Sequence, residues 1–360
     1  MKPLSGLRIL EFDGLGPVTF AGMVLADLGA EVLRLTRAPG AGAADFADVG
    51  GAVLHRGRSS VAIDLKDAVD RARVLELIDA ADGLIEGFRP GVMERLGLAP
   101  DVCAARNPKL VYGRVTGWGQ TGPKAAEVGH DINYIALSGA LHAMGEPDRP
   151  PRPPLNLIGD YGGGAMMLVT GVLAGLIEAQ RTGVGRVVDA AMTDGSALLT
   201  SLFHALAARG LWSDARGANL LDGGAPFYRC FACRDGRYVA VGALEPRFYS
   251  ALLTGLGLTE AEAPQYDMAN WPALHARLEA VFATRDRDDW AALFEGTDAC
   301  VTPVLSLAEA PLHPHNAARR IFTGTGPIQP APAPRFAGGD ALPAPEGAVL
   351  SVDEALTRWR

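Results

Sequence analysis

The sequence predicts an α/β protein in which helices cover a mostly parallel sheet and a smaller α+β domain follows. Segments typical of strands and helices alternate through the first half of the chain, and such alternation produces parallel sheets. The pattern changes near residue 225, where a hairpin precedes mostly helical sequence. The length of 360 residues is also about twice that of one average domain.

The first forty residues predict a βαβ unit. We expect a strand at residues 7–12, a turn at 14–17, a helix at 18–28 that ends at Gly29, and a second strand at 31–35. A strand, a helix and a parallel strand in this order form the repeating unit of a parallel sheet.

Further alternation predicts four more strands and three helices in the large domain. The strands are expected at 61–65, 83–86, 110–115 and 186–190, and the helices at 67–81, 165–180 and 193–209. In the second half we expect an antiparallel hairpin at 227–243 and helices within 246–295. A proline-rich loop at 146–154 and an extended tail at 327–345 complete the prediction.

The charge pattern excludes some partners and favours another. A net charge of −8 argues against nucleic-acid binding. Five basic residues nevertheless stand close together in the sequence, among the acids Asp45, Asp48 and Asp64: Arg34, Arg37, Arg56, Arg58 and Lys66. They predict a local cationic patch that binds a small polyanion.

We expect a cytoplasmic protein with no signal peptide, no membrane span and no metal site. The N-terminal segment carries Glu11 and Asp13 and lacks an apolar core. The longest apolar run, 165–177, is shorter than the ~20 residues that cross a bilayer. The four cysteines are too few for a disulfide scaffold, and the CxxC at 230–233 has no second pair and no histidine at metal spacing.

A glycine pair follows the first strand. Gly14 and Gly16 are similar to a dinucleotide-binding turn, but Thr19 stands where a third glycine is expected. Arg37 follows the second strand, where it could bind a ribose phosphate, as in NADP or coenzyme A. A tight structural turn is the alternative interpretation, and an NADP-dependent oxidoreductase is one functional hypothesis.

Two segments hold side chains suited to proton transfer. His130 and Asp131 occupy a loop, where a histidine either acts chemically or is bonded within the loop. Asp160 precedes three glycines and an apolar helix, so it is either an N-cap or an acid beside an oxyanion-binding helix end. Glu245, which ends a strand before Pro246, is by itself an exposed acid.

Ten segments, in order, resemble the class III CoA-transferases, or CaiB/BaiF family. Among them are LSGLRILEFDGLGP, ADLGAEVLRL, AIDLK, LIEGFRPGVMERLGL, TGWGQTGP, GHDINY, GDYGGG and GRYVAVGALEPRFY. The resemblance extends over nearly the whole chain and is weakest in the last forty residues. Within the family, the segments are closest to those of the members that racemise 2-methylacyl-CoA thioesters.

The resemblance implies a large Rossmann-like domain, a small domain and an interlinked homodimer. Residues 1–190 and 330–360 then form the large, CoA-binding domain, and residues 225–315 form the small domain. Residues 191–224 and 316–329 are linkers, and the extended tail fits such a dimer.

The resemblance also implies the residues of the site. His130 and Asp160 correspond to two bases, Glu245 to an acid that pairs with the histidine, and Asp131 to a supporting residue. Contacts with coenzyme A are expected from Arg37, Ile63, Asp64, Leu65, Lys66, Gly87, Phe88, Arg89, Arg95, Gly129 and Tyr134. Because coenzyme A is part of the acyl-CoA substrate, no further cofactor is expected.

The implied reaction inverts the α-carbon of a 2-methylacyl-CoA by proton transfer through an enolate. His130 serves the S substrate and Asp160 the R substrate, while N–H groups at the helix start around Asp160 stabilise the enolate. The main alternative is a CoA-transferase with Asp160 as covalent nucleophile. Residues 222–226, DGGAP, lack the glycine run that shields such an intermediate, which favours the racemase. A non-catalytic CoA-binding protein is a further alternative.

Overall fold

A computed structural model describes residues 2–37, 50–324, 327–337 and 342–359. The acids Asp45 and Asp48, residues 325–326 of the predicted second linker and residues 338–341 of the predicted tail lie outside these ranges.

Contacts divide the chain into two compact units. Unit 1 consists of residues up to 140, residues 154–201 and residues from 315 onward. Unit 2 consists of residues 141–153 and 202–314. The domain boundaries given above stay a prediction, because a compact unit is not by itself an independently folding domain.

Unit 1 is built on a seven-stranded sheet in which all strand pairings are parallel. In sheet order its strands are β12 (Val349–Leu350), β3 (Arg58–Ala62), β2 (Glu31–Thr36), β1 (Arg8–Phe12), β4 (Gly83–Glu86), β5 (Val111–Thr116) and β6 (Val187–Ala191). The order reverses between β1 and β4, as in a Rossmann-like sheet. The predicted parallel sheet is therefore confirmed, and β12 is an edge strand that the sequence did not predict.

Helices pack on both faces of this sheet. They are α1 (Pro17–Asp27), α2 (Gly51–Leu54), α3 (Ala68–Ala80), α4 (Val92–Arg95), α5 (Pro100–Arg106), α6 (Asp131–Leu137), a π-helix (Leu157–Ala165), α7 (Met166–Thr182), α8 (Met192–Leu199) and α14 (Val352–Trp359). Since side chains alternate along a strand, Ile9 packs with Val18 and Val172 on one face, and Leu10 packs with Leu77 on the other.

Two predicted elements have different bounds in the structure. The strand expected at 61–65 is β3 and begins at Arg58, because residues 58–62 pair with residues 32–36 of β2. The helix expected at 193–209 is two helices, α8 and α9 (Ser201–Ala208), separated at Thr200. The Thr200 hydroxyl donates to the carbonyl of Ala197 at this break (2.7 Å), a local bond by which threonine competes with helical hydrogen bonding.

The predicted cationic patch is wrong for three of its five residues. Arg34, Arg56 and Arg58 are buried in unit 1 and pair with acids of other elements: Asp13, Asp27 and Glu11 respectively. Burying a charge costs so much free energy that it must be paired inside the protein. Only Arg37 and Lys66 of the five are exposed.

Unit 2 combines a small antiparallel sheet with helices, as expected for an α+β unit. The sheet order is β7 (Tyr228–Ala232), β8 (Tyr238–Gly242) and β9 (Val301–Pro303), and β7 and β8 form the predicted hairpin. The helices are α10 (Pro246–Leu256), α11 (Trp271–Phe282) and α12 (Arg287–Phe294). Their core is aromatic and contains Phe227, Phe231, Phe282 and Trp290.

A short helix and three short strands follow β9 in the sequence. Helix α13 (Pro314–Ala318) precedes a two-stranded antiparallel ribbon of β10 (Phe322–Thr323) and β11 (Gln329–Pro330). Further on, Val349 and Leu350 of β12 pair with Ser60 and Val61 of β3, so the chain end belongs to the large sheet.

One continuous helical segment, Leu157–Thr182, is long and apolar enough to cross a membrane by length and composition. Half of its most apolar stretch is buried inside the protein. Leu168, Val172 and Leu176 pack in the same cluster as Val111 of β5, which is the environment of a core helix.

Candidate active site

The predicted CoA-binding segments follow the carboxyl ends of neighbouring parallel strands. Residues 63–66 follow β3, residues 87–89 follow β4, and Arg37 follows β2. Between β1 and β4 the strand order reverses, and ligands of such sheets bind at this edge. The turn after β1 and the turn after β4 meet there, since the rings of Phe12 and Phe88 contact edge to face with centroids 6.1 Å apart.

A buried ion-pair network fixes the turn after β4. Glu86 accepts the backbone N–H of Phe88 (2.6 Å) and the Nε–H of Arg114 (2.8 Å). Arg114 also pairs with Glu94 of α4 (2.8 Å), the helix that ends with Arg95. Burial raises the pKa of Glu86, and the Arg114 hydrogen bond opposes this rise. One guanidinium thus connects two segments that are predicted to bind coenzyme A.

Asp160 lies in the first turn of the π-helix and is not its N-cap, so that interpretation is wrong. The N-cap is Asn156, and the first π-helical bond runs from the N–H of Tyr161 to the carbonyl of Asn156 (3.3 Å). Asn156 also donates its side-chain amide to Oδ2 of Asp160 (3.2 Å). Periodicity in the sequence does not distinguish a π-helical turn from an α-helical one.

The predicted oxyanion donor at Asp160 is occupied within the protein. The N–H of Asp160 donates to Oδ2 of Asp131 (2.7 Å). This part of the enolate-stabilising prediction therefore needs correction, because a bonded N–H is not free to stabilise an oxyanion. Asp131 is buried, and its other oxygen, Oδ1, has no hydrogen-bond partner among the described residues.

Two glycines lie directly against the carboxylates of Asp160 and Asp131. Gly16 has a φ of 65°, and a Cβ at this position would lie 2.9 Å from Oδ2 of Asp160. Gly159 faces Asp131, whose Oδ2 would lie 2.5 Å from a Cβ. The Gly14–Gly16 turn thus brings the start of α1 against the acid, which a larger residue would push away.

Burial is the main cause of a raised pKa at Asp160. The negative charge of Asp131 raises it further, while the Asn156 hydrogen bond and the positive charge of His130 lower it. The three predicted residues His130, Asp131 and Asp160 therefore interact electrostatically in unit 1. A raised pKa is typical of a carboxyl group that exchanges protons near neutral pH.

The His130 loop is held by its backbone, which leaves the side chain exposed. His130 is the N-cap of α6, its N–H donates to Oδ1 of Asn133 (3.0 Å), and its carbonyl accepts the N–H of Asn133 (2.8 Å). The imidazole is exposed to solvent. A fixed backbone with an exposed ring suits a base that must meet a bound substrate.

Tyr134 connects the loop to the end of β5. Its hydroxyl donates to the carbonyl of Gly129, and its ring packs edge to face on Trp118 with centroids 4.7 Å apart. A Cβ at Gly117 would lie 2.0 Å from the Tyr134 ring, so the backbone there runs directly against it. The buried Tyr134 side chain therefore positions the Gly129–His130 backbone.

The structure leaves part of the predicted site untested. Glu245 belongs to unit 2, where it is exposed and precedes α10, so its pairing with His130 stays a prediction. The coenzyme A contacts also stay predictions. Sequence reasoning missed Asn156, Glu86 and Arg114. An acid that ends an entirely apolar strand, as Glu86 ends β4, is the one signal that could have found them.

Comparison with known protein families shows which family includes this chain. Residues 4–338 match the model of CoA-transferase family III. The chain belongs to CoA-transferase family III. The match includes the Gly14–Gly16 turn, the His130 loop and the Asp160 helix, so the family resemblance expected from the sequence is confirmed.

Two relatives within the family carry the same name. The chain is 45% identical over 332 residues to the mouse alpha-methylacyl-CoA racemase, covering 92% of this chain and 85% of that protein. It is 43% identical to the human alpha-methylacyl-CoA racemase, covering 94% and 88% respectively. The acetyl-CoA:oxalate CoA-transferase of Acetobacter aceti is less similar, at 34% identity over 91% of this chain and 87% of that protein.

Solved structures of the family share the fold. The Mycobacterium tuberculosis protein Rv3272 matches with a TM-score of 0.80 at 28% identity, over 97% of each chain. A CaiB/BaiF family protein from Brucella suis matches with a TM-score of 0.81 at 27% identity, over 97% of this chain and 96% of that chain. The fold class predicted from the sequence is thus confirmed for the single chain.

Proposed function

We propose that this family III protein is a racemase that inverts the α-carbon of 2-methylacyl-CoA thioesters. The observation that carries the proposal is the 45% and 43% identity to two alpha-methylacyl-CoA racemases over more than nine-tenths of the chain. The lower identity of 34% to a CoA-transferase ranks the transferase reaction second.

Two bases on opposite faces of the α-carbon perform the proposed inversion. His130 removes the proton of the S substrate while Asp160 donates a proton to the opposite face, and the roles are exchanged for the R substrate. The raised pKa of Asp160 supports this role, because such a carboxyl keeps its proton, and so can donate it, at a pH where an ordinary carboxyl is already ionised. The charge of Asp131 helps to keep that pKa high.

Enolate stabilisation comes from backbone N–H groups other than that of Asp160. Candidates are the backbone N–H groups of Asp131 and Ile132 in the first turn of α6. They come before Asn133, whose N–H donates to the carbonyl of His130. Oriented N–H donors at a developing oxyanion are typically the largest contribution to such a reaction. This assignment also fits the exposed position of Ile132.

Coenzyme A supplies binding free energy far from the reacting carbon. The segments after β3 and β4 are suited to hold it because they occupy the ligand-binding edge of the parallel sheet. In this proposal the reaction needs no further cofactor, since the proton is moved by side chains of the chain itself. The four free cysteines support a cytoplasmic location.

An interlinked homodimer is part of the proposal. Helix α9, SLFHALAA, is mostly apolar in sequence, yet none of its residues is buried. Nearby Leu198 and Leu199 are also 61% and 48% exposed. Apolar surface of this kind favours association with a second copy. Light scattering after gel filtration would test this, and a monomeric mass at micromolar concentration would contradict it.

The reaction is tested by ¹H NMR in D₂O with each epimer of 2-methyldecanoyl-CoA. We expect loss of the α-proton signal and formation of the other epimer without an added acceptor acid. Asp160→Asn should form the other epimer from neither substrate and should lose the α-proton exchange of the R epimer, because its amide cannot take up a proton. A transferase would instead require an acceptor acid and would yield a hydroxamate of Asp160 after hydroxylamine treatment. Acceptor-dependent turnover without α-proton exchange would reject the racemase.

A further inference from the structure

A large cavity in unit 2 is lined by none of the residues assigned to the proposed reaction. Its volume is about 1010 Å³, and all of its lining residues belong to unit 2. Much of the lining is apolar: Pro147, Tyr228, Val241, Met268, Trp271 and Pro272. Pockets of this size and composition hold small organic ligands of drug-like dimensions.

Arg229 lines this cavity and forms no ion pair with an acid of the described residues. Its side chain is half-buried, and its polar partners among the described residues are a backbone carbonyl and a histidine nitrogen, with no carboxylate oxygen within ion-pair distance. The five buried arginines of the described ranges differ, because each pairs with an acid: Arg34, Arg56, Arg58, Arg114 and Arg287. A partly desolvated cation that forms no ion pair is costly, so a bound anion beside it is favoured.

The guanidinium is nevertheless held in a fixed position. Its Nη1 donates to the carbonyl of Gly223 and to Nδ1 of His275, both at 3.0 Å. The carboxylate of Glu279 lies 3.2 Å from Nε2 of His275 and forms no ion pair with Arg229. Nε of Arg229 is buried without a hydrogen-bond partner. Burial lowers the pKa of Arg229, and the charges of Glu146 and Glu279 oppose this effect without forming an ion pair with the guanidinium.

We propose that this cavity binds an amphipathic monocarboxylate, such as a free medium-chain fatty acid, whose carboxylate pairs with Arg229. The apolar walls receive the body of the ligand. The acids Glu146 and Asp222 also line the cavity, and they repel a dianion such as a phosphate monoester about twice as strongly as a singly charged carboxylate. Asp222 is itself engaged by the N–H groups of Ala218, Asn219 and Gly224, so it does not neutralise the arginine.

Isothermal titration of the full-length protein with decanoate and with decanamide tests the proposal. The two probes have the same length, but only decanoate is charged. We expect decanoate to bind the wild type at least about tenfold more tightly than decanamide, because charged hydrogen bonds are stronger than neutral ones. Equal affinities of the wild-type protein for the two probes, or no binding of decanoate, would by themselves overturn the proposal.

Variants then locate the site. Arg229→Gln should weaken decanoate binding at least about tenfold, and Arg229→Lys should restore most of it. Arg277→Gln is the matched control, because Arg277 lies on the same helix as His275 and pairs with Glu262. Asp160→Ala should bind decanoate as the wild type does. Loss of binding in Asp160→Ala, or unchanged binding in Arg229→Gln, would contradict the assignment and leave the racemase proposal unaffected.

Discussion

A contact between two backbones positions the helix that carries Asp160. Gly195 of α8 lies against Gly163 of the π-helix, and a Cβ on Gly195 would lie 1.9 Å from the carbonyl oxygen of Gly163. A Cβ on Gly163 would likewise lie 2.7 Å from the N–H nitrogen of Ser196. Gly195→Ala therefore forces the two helices apart, because neither backbone can rotate away as a side chain would.

The geometry gives the size of the effect. An ordinary carbon–oxygen contact is at least about 3 Å, so the helices must separate by roughly 1 Å. Overpacking of this kind destabilises a folded protein by about 1–3 kcal/mol. A displacement of about 1 Å at a reacting group reduces the rate by about 100-fold. We therefore expect kcat to fall by about 100-fold, with a smaller change in KM for the acyl-CoA.

Epimerisation assays and thermal unfolding check this prediction together. Gly242→Ala is the control, because its Cβ would come no closer than 4.0 Å to the Tyr228 ring. This variant should keep wild-type activity, and its free energy of unfolding should stay within about 1 kcal/mol of the wild-type value. If Gly195→Ala keeps both its activity and its melting temperature, the backbone contact does not position Asp160 and the reasoning is refuted.

Three further predictions follow from buried charges. Arg58→Met removes the closest partner of the buried Glu11, whose Oε2 lies 2.5 Å from Nη1 of Arg58. Urea titrations should show a free energy of unfolding that is lower by about 3–5 kcal/mol. A loss below about 1 kcal/mol would contradict the importance of this buried pair. Asp131→Asn keeps an oxygen that accepts the N–H of Asp160 but removes a negative charge that raises the pKa of Asp160. In the R-to-S direction Asp160 must be ionised, so the acid limb of the kcat/KM pH profile should move to lower pH. An unmoved limb would refute the electrostatic coupling of the two acids. Glu86→Gln weakens the bonds from Glu86 to Phe88 and Arg114 that fix the turn after β4. The KM for acyl-CoA should therefore rise by about tenfold with kcat nearly unchanged. A loss confined to kcat would exclude this positioning role.

The fold of unit 1 was predictable because its signals are local. The turn at Gly16 and the helix end at Gly29 both require positive φ, at 65° and 107°, and glycine is the residue that adopts it freely. Apolar runs such as 83–85 are buried on both faces in a parallel sheet, so they are recognised without knowledge of their neighbours. The His130, Asp131 and Asp160 cluster came from the family resemblance.

The remaining features depend on residues that are distant in sequence. Arg58 looked like surface charge because its partner, Glu11, lies on a strand 47 residues earlier. Asp160 looked like an N-cap because nothing in its neighbours shows that Asn156 begins the helix and that Asp131 accepts its N–H. Strand β12 contains only two residues and gains its stability from pairing with β3, so its own sequence carries little signal.

Removal of one base at a time tests the central claim most directly. In D₂O, His130→Ala should still exchange the α-proton of the R epimer through Asp160, without inversion, and should leave the S epimer unexchanged. Asp160→Ala should show the opposite selectivity. If either variant exchanges both epimers equally, or neither variant exchanges any, His130 and Asp160 do not act as separate bases on opposite faces of the α-carbon.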